Sequence, residues 1–161
     1  MIRVCFVCLG NICRSPTAAG VLRRLVDERR VAHRFLIESA GTGAWHVGEL
    51  PDPRTRHHAS KRGLVLDTRG RHFQPAFFDT YEHVLAMDLA NRDHLLTLAT
   101  TDAHRAKVAL FRSFDPEAPP EAEVPDPYYG GPEGFEEVLD QCERAAEGFF
   151  AAVAARHGLV P

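Results

Sequence analysis

The stretch that decides the fold is Ile2-Arg3-Val4-Cys5-Phe6-Val7-Cys8-Leu9-Gly10-Asn11-Ile12-Cys13-Arg14-Ser15-Pro16. Residues 2–7 form a short run rich in Val, Ile and Phe, the pattern of a strand buried on both faces. Gly10 and Asn11 then suit positive φ. Ser15 and Pro16 read as the opening of a helix, Ser as N-cap and Pro at the first helical position. Ala18, Val21, Leu22, Leu25 and Val26 recur on one face of that helix. The reading is strand, tight loop, helix.

Working outward, further strands are expected at residues 35–39, 83–87 and 107–111. Helices are expected at 55–62, ended by Gly63 as C′ glycine, at 89–99, and at 133–156. A loop over 41–53 carries the only tryptophan, Trp45, and a Pro-rich loop spans 115–132. Strands alternating with helices indicate an α/β fold: one domain over residues 1–161, with a parallel sheet covered by helices on both faces.

The chain has 161 residues, 45% apolar and 25% charged, with a net charge of −3. That balance gives no basis for binding nucleic acid or an anionic membrane surface. No segment approaches the ~20 apolar residues that cross a bilayer, so the expected location is cytoplasmic, where thiols stay reduced. The four cysteines then need a reading other than a disulfide framework.

Cys8 and Arg14 form a Cys-x5-Arg pattern, weak alone in a chain so rich in arginine. Its place is what counts, between the carboxyl end of a strand and the start of a helix, where open α/β sheets bind ligands. Backbone N–H groups from Leu9 to Ser15 can curl into a nest at the helix N-terminus and hold a phosphate. The Arg14 guanidinium would close over two of its oxygens as a planar fork. A thiol at the start of such a loop becomes a nucleophile aimed at phosphorus. The plainer reading of Cys8 is a small buried hydrophobe at a strand end. The Gly-Asn loop, Arg14 and the Ser-Pro helix start favour the chemistry.

Thiolate attack on a phosphate monoester expels an oxyanion that wants a proton. Asp126, in Asp126-Pro127-Tyr128-Tyr129-Gly130-Gly131, is the candidate acid, with Tyr128 and Tyr129 as aromatic walls of a cleft. An ordinary surface turn is the alternative for that segment. Cys5 and Cys8 make a poor metal chelate, because strand residues three apart point to opposite faces. Cys5 and Cys142 read as core, and His57-His58 as solvated helix surface.

Together the two motifs resemble the low-molecular-weight protein tyrosine phosphatase family. Cys8, Gly10, Asn11, Cys13, Arg14, Ser15 and Pro16 match its first signature, and Asp126, Pro127 and Tyr128 its acid loop. The resemblance extends over the Ser39-Ala40-Gly41-Thr42 segment, the Ala86-Met87-Asp88 strand end and the C-terminal helix. It implies a four-stranded parallel sheet with a phosphate-binding loop after the first strand. It also implies metal-free, cofactor-free hydrolysis of phosphotyrosine and other aryl phosphate monoesters through a phosphocysteine on Cys8. Arg14 would bind phosphate and Asp126 act as general acid and base. Ser15 would support the Cys8 thiolate, Asn11 would lock the loop in a left-handed conformation with Ser39, and Ile12, Trp45, Tyr128 and Tyr129 would line the substrate cleft. Cys13 would be a redox partner for Cys8. Partners would be tyrosine-phosphorylated proteins, a bacterial tyrosine autokinase among them, and oxyanion inhibitors in the loop.

One departure stands out. Where the family often carries a His before the glycine matching Gly63, tied into the Asn11–Ser39 network, this chain has Arg62, which is expected to rewire that network. Arsenate reductases of the same fold use later mid-chain cysteines, and none lies between Cys13 and Cys142. Protein-arginine phosphatases typically carry Thr in place of Ile12. A non-catalytic phosphate-binding module is the reading from another class.

Overall fold

The computed structural model describes residues 1–159. Four parallel strands, β1 (Ile2–Cys8), β2 (Phe35–Gly41), β3 (His83–Ala86) and β4 (Val108–Leu110), form one sheet in the order β2-β1-β3-β4. Six helices accompany them: α1 (Arg14–Glu28), α2 (Pro53–Ser60), α3 (Phe77–Thr80), α4 (Leu89–Leu98), α5 (Asp102–Ala106) and α6 (Pro132–His157). Among the described residues, no helix is long and apolar enough to cross a membrane.

The apolar run Val4–Cys8 of β1 is explained by two cores. Ile2, Val4, Phe6 and Cys8 pack on one face with α1 and α6, through Leu22, Leu25, Val138, Cys142 and Phe149. Cys5 and Val7 point the other way, into Phe73, Phe78, Tyr81, Leu95 and Ala99 of the α3–α4 side. Side chains alternate across a strand, so where a strand lies between two helical layers both of its faces are apolar; only Arg3, near the start of β1, is exposed. Leu22, Phe149, Val4 and Phe6 are wholly removed from water.

The chain runs from β1 to β2 on one side, then crosses back to β3 on the other. The carboxyl end of β1 is therefore a topological switch point, where a crevice opens between diverging connections. Register places Cys8 beside Gly41 and Val7 beside Ala86. The exits of β1, β2 and β3 thus meet at one spot.

Several expectations are refined. Strand and helix ends shift by at most two residues, and α3 and α5 are additions to the expected elements. Helix α2 begins at Pro53, earlier than residue 55, because the Asp52 carboxylate accepts from the Arg54 N–H and Pro53 has no N–H that needs an acceptor. Its end follows the expectation: Gly63, at φ 79°, lets Gly63 N–H reach Ser60 O and Leu64 N–H reach Ala59 O. His58 is not solvated surface. It is buried, stacked on Phe135 and bonded to Glu136, because α6 packs over α2. His57 is exposed.

Candidate active site

Cys8 closes β1, and the chain turns at once through Leu9 to Arg14 into α1. Asn11 is the residue that makes the turn, at φ 58°; Gly10 does not take a positive φ. The conformation is stabilised by the Asn11 side chain. Its Nδ2 donates to Ser15 Oγ at 2.7 Å and Ser39 Oγ at 2.9 Å, and its Oδ1 accepts from the Arg71 N–H at 2.9 Å. A backbone N–H can only donate, so the amide orientation is settled. Neighbouring backbone leaves no room: a Cβ on Gly41 would stand 2.8 Å from Leu9 O.

Ser15 is not the N-cap. The helix opens two residues earlier than expected, at Arg14; Cys13 stands at the cap without a side-chain bond, and Ser15 lies inside the first turn. Its hydroxyl is turned to Cys8 Sγ at 3.0 Å. Because Asn11 Nδ2 occupies Ser15 Oγ as acceptor, the hydroxyl proton is free to point at the sulfur. The Asn11 N–H also donates to Sγ, at 3.2 Å. The N–H groups of Gly10, Ile12, Cys13 and Arg14 meet no backbone acceptor among the described residues. Those donors are what a helix start and a curled loop offer to an anion.

Arg14 is 3% exposed. Its Nη1 donates to Asp88 Oδ2 at 2.6 Å and to Val124 O at 3.1 Å, while Nη2 lies 3.7 Å from Asp126 Oδ2. Burial pulls the guanidinium pKa down, but Cys8, Asp88 and Asp126 outweigh it and the net direction is up. Burial pushes the Cys13 thiol up to about 12, with Thr55 opposing. It pushes Cys5 and Cys142 up as well, and both are core, as expected.

Asp126 arrives from the far end of the chain. The segment before it is anchored where β3 ends, by Val124 N–H to Met87 O at 2.7 Å. Asp126 Oδ1 accepts from the Tyr128 N–H at 3.0 Å. The result is a cavity of about 420 Å³ lined by Cys8, Leu9, Gly10, Ile12, Cys13, Arg14, Trp45, His46, Asp126, Tyr128 and Tyr129. Trp45 is 71% and Tyr129 93% exposed, so the aromatic rim faces outward.

Ile12, Trp45, Tyr128 and Tyr129 all line this cavity, and Asn11, Ser15 and Ser39 form one network beneath it. Arg62 does not join that network. It is held by Glu136, Asp140 and Glu143 of α6, and Asn11 makes its bonds with Ser15, Ser39 and the Arg71 N–H without it. Two residues escaped the sequence reading. His46, whose Nδ1 meets Glu49 Oε2 at 2.5 Å, carried no signal beyond adjacency to Trp45. Asp88 was legible as an N-cap before α4, which it is, but not as the partner of Arg14.

Comparison with known proteins agrees with this geometry. A family model described as low molecular weight phosphotyrosine protein phosphatase matches residues 3–158. A low molecular weight protein-tyrosine-phosphatase of Streptomyces coelicolor is 48% identical over 94% of this chain and 93% of its own. The crystal structure of a protein tyrosine phosphatase from Entamoeba histolytica superposes with a TM-score of 0.90 at 32% identity, covering 99% of this chain and 100% of the other. A Drosophila arginine phosphatase superposes at 0.87 and 30% identity, over 94% and 98%. The chain belongs to the low molecular weight phosphotyrosine protein phosphatase family, and it is a phosphatase of that type.

Proposed function

We propose that the protein hydrolyses phosphotyrosine in proteins in two steps on Cys8. The observation that carries this reading is one cavity holding Cys8, Arg14 and Asp126 under an aromatic rim. The phosphate docks on the loop N–H groups from Leu9 to Ser15, and the Arg14 fork takes two of its oxygens. The Cys8 thiolate, with Ser15 and Asn11 donating to it, attacks phosphorus. A P–S bond forms as the P–O bond to the tyrosine breaks, and Asp126 gives its proton to the departing oxygen. Asp126, now a carboxylate, takes a proton from a water that attacks the phosphocysteine. The P–S bond breaks, inorganic phosphate leaves, and Cys8 returns as thiolate. Loop amides and Arg14 stabilise the equatorial oxygens in both steps, and the chemistry needs no metal.

A nucleophilic thiolate needs a reducing compartment, which supports the cytoplasm as its setting. Tyr128, Tyr129 and Trp45 suit an aryl leaving group on a protein surface. Cys13, free in the same loop, supports a reversible disulfide with Cys8 under peroxide.

The test is hydrolysis of p-nitrophenyl phosphate with EDTA present. Turnover that vanishes in Cys8→Ser and slows about a hundredfold or more in Asp126→Ala supports the scheme. Full turnover in Cys8→Ser overturns it. The likeness to an arginine phosphatase favours a second reading, phosphoarginine as substrate. Ile12, bulky and apolar in the cavity lining, supports an aryl group instead, and faster hydrolysis of phosphoarginine than phosphotyrosine reverses that preference.

A further inference from the structure

Arg54 lies outside the cavity yet touches both halves of its frame. Its Nε and Nη2 fork onto Asp52, at 3.1 Å to Oδ1 and 3.0 Å to Oδ2. Asp52 is itself buried and its N–H donates to Ile12 O of the Cys8–Ser15 loop at 2.9 Å. The same guanidinium lies over two rings, 5.1 Å from the centroid of Tyr128 and 5.0 Å from that of Phe135. Tyr128 is the residue whose N–H holds Asp126 Oδ1.

The segment over 125–131 is fixed at one other point by packing: Pro127 is buried and shares a small crevice with Cys13, Thr55, Phe135 and Leu139. Its hydrogen bonds are local: Tyr128 N–H to Asp126, Gly130 N–H to Pro127 O, and Gly134 N–H in the first turn of α6 to Gly131 O. Among the described residues none ties it to the rest of the protein between Val124, bonded to Met87, and the start of α6. The 3.7 Å pair of Asp126 with Arg14 is long for a hydrogen bond. Pro127 anchors the segment beneath, and the Tyr128 ring on Arg54 is the contact at the residue whose N–H holds Asp126, on the side facing the loop.

We infer that Arg54 is a positioning residue for the general acid. It couples the loop, through Asp52, to the acid segment, through the Tyr128 ring. Only a planar guanidinium can present its edge to a carboxylate and its faces to two rings at once. A small displacement of a proton donor is enough to lose rate. The inference rests on the reading of Asp126 as acid.

The experiment compares wild type, Arg54→Ala, Arg54→Lys and Asp126→Asn on aryl phosphates running from p-nitrophenyl to phenyl phosphate. Loss of a proton donor hurts poor leaving groups most, so kcat/KM depends more steeply on the leaving group. Arg54→Ala is expected to steepen that dependence toward the Asp126→Asn line. Its loss on phenyl phosphate should exceed its loss on p-nitrophenyl phosphate by about tenfold. Inhibition by inorganic phosphate should be unchanged. Arg54→Lys, keeping charge without the fork, should fall between. A line parallel to wild type, or phosphate inhibition weakened in step with kcat/KM, overturns the role of Arg54 while leaving Asp126 as acid. A wild-type slope in Asp126→Asn overturns the acid itself, and this inference with it. If Arg54→Ala fails to fold, Arg54→Lys and Tyr128→Leu carry the same comparison.

Discussion

Arg14 and Asp88, 74 residues apart in sequence, meet at 2.6 Å where β1 and β3 end side by side. The carboxylate divides its labour. Oδ1 caps α4 by accepting from the Asn91 N–H at 2.7 Å, and Oδ2 holds Arg14. One side chain thus fixes a helix start and the guanidinium proposed to bind phosphate.

Asp88→Ala removes the carboxylate counter-charge of a buried guanidinium and a helix cap together. Breaking such a pair costs about 3 kcal/mol or more, so Tm should fall by roughly 5–10 °C. Arg14 would lose its fixed geometry, and kcat/KM for p-nitrophenyl phosphate should fall about tenfold to a hundredfold. Thermal melts and steady-state kinetics check both. An unchanged kcat/KM means that the pair serves the fold alone.

Ser15 offers a cleaner cut. Its hydroxyl, filled by Asn11 as acceptor, has the Cys8 sulfur as its nearest acceptor. Ser15→Ala removes a hydrogen bond to a charged sulfur, worth about 1.5–3 kcal/mol, which is about a tenfold to hundredfold loss in rate. A stopped-flow burst of p-nitrophenol should slow in the same proportion if the loss is in thiolate attack.

Thiol chemistry should single out Cys8. Burial raises the pKa values of Cys5, Cys13 and Cys142, and none has a thiolate to offer near neutrality. Iodoacetamide at pH 7 is expected to label one site, Cys8, and inorganic phosphate to protect it, as peptide mass mapping would show. Labelling of Cys13 in the folded protein contradicts this. Under peroxide, wild type should recover with dithiothreitol while Cys13→Ser should not.

Acid stability should register the α2–α6 contact. The Glu136 carboxyl is held below its ordinary pKa, by Arg62 first and His58 next. A carboxylate depressed in the folded state contributes stability above its unfolded pKa of about 4.3, and loses that contribution as pH falls through the lower folded value. Glu136→Gln should therefore lower Tm by about 2 °C at pH 6. The gap should close below about pH 4 as the wild-type carboxyl takes up its proton. A gap that persists to acid would assign the effect to packing.

The loop that carries Cys8 and Arg14 was legible because its information is local. A buried strand, a left-handed Asn11 and the first turn of α1 each follow from side chains within a few residues. Asp126 was legible from the chemistry, which requires a proton donor that the loop lacks. Two local signals misled. Ser15-Pro16 has the look of a cap and first turn, but the Ser15 hydroxyl is drawn to Cys8 and Asn11 instead. His57-His58 has the look of a polar face, but α6 covers one of the two.

By itself the sequence determined an α/β fold and nominated a nucleophile, a fork and an acid, because periodicity, turn chemistry and reaction demand are properties of short segments. Only the tertiary structure decided that Asp88 anchors Arg14, that Arg62 serves α6 rather than Asn11, and that Arg54 bridges the loop to the acid segment. Those pairings depend on which strand ends the crossovers bring together, and a hydrogen bond is made or lost within about 1 Å. Spacing along a chain cannot carry that precision.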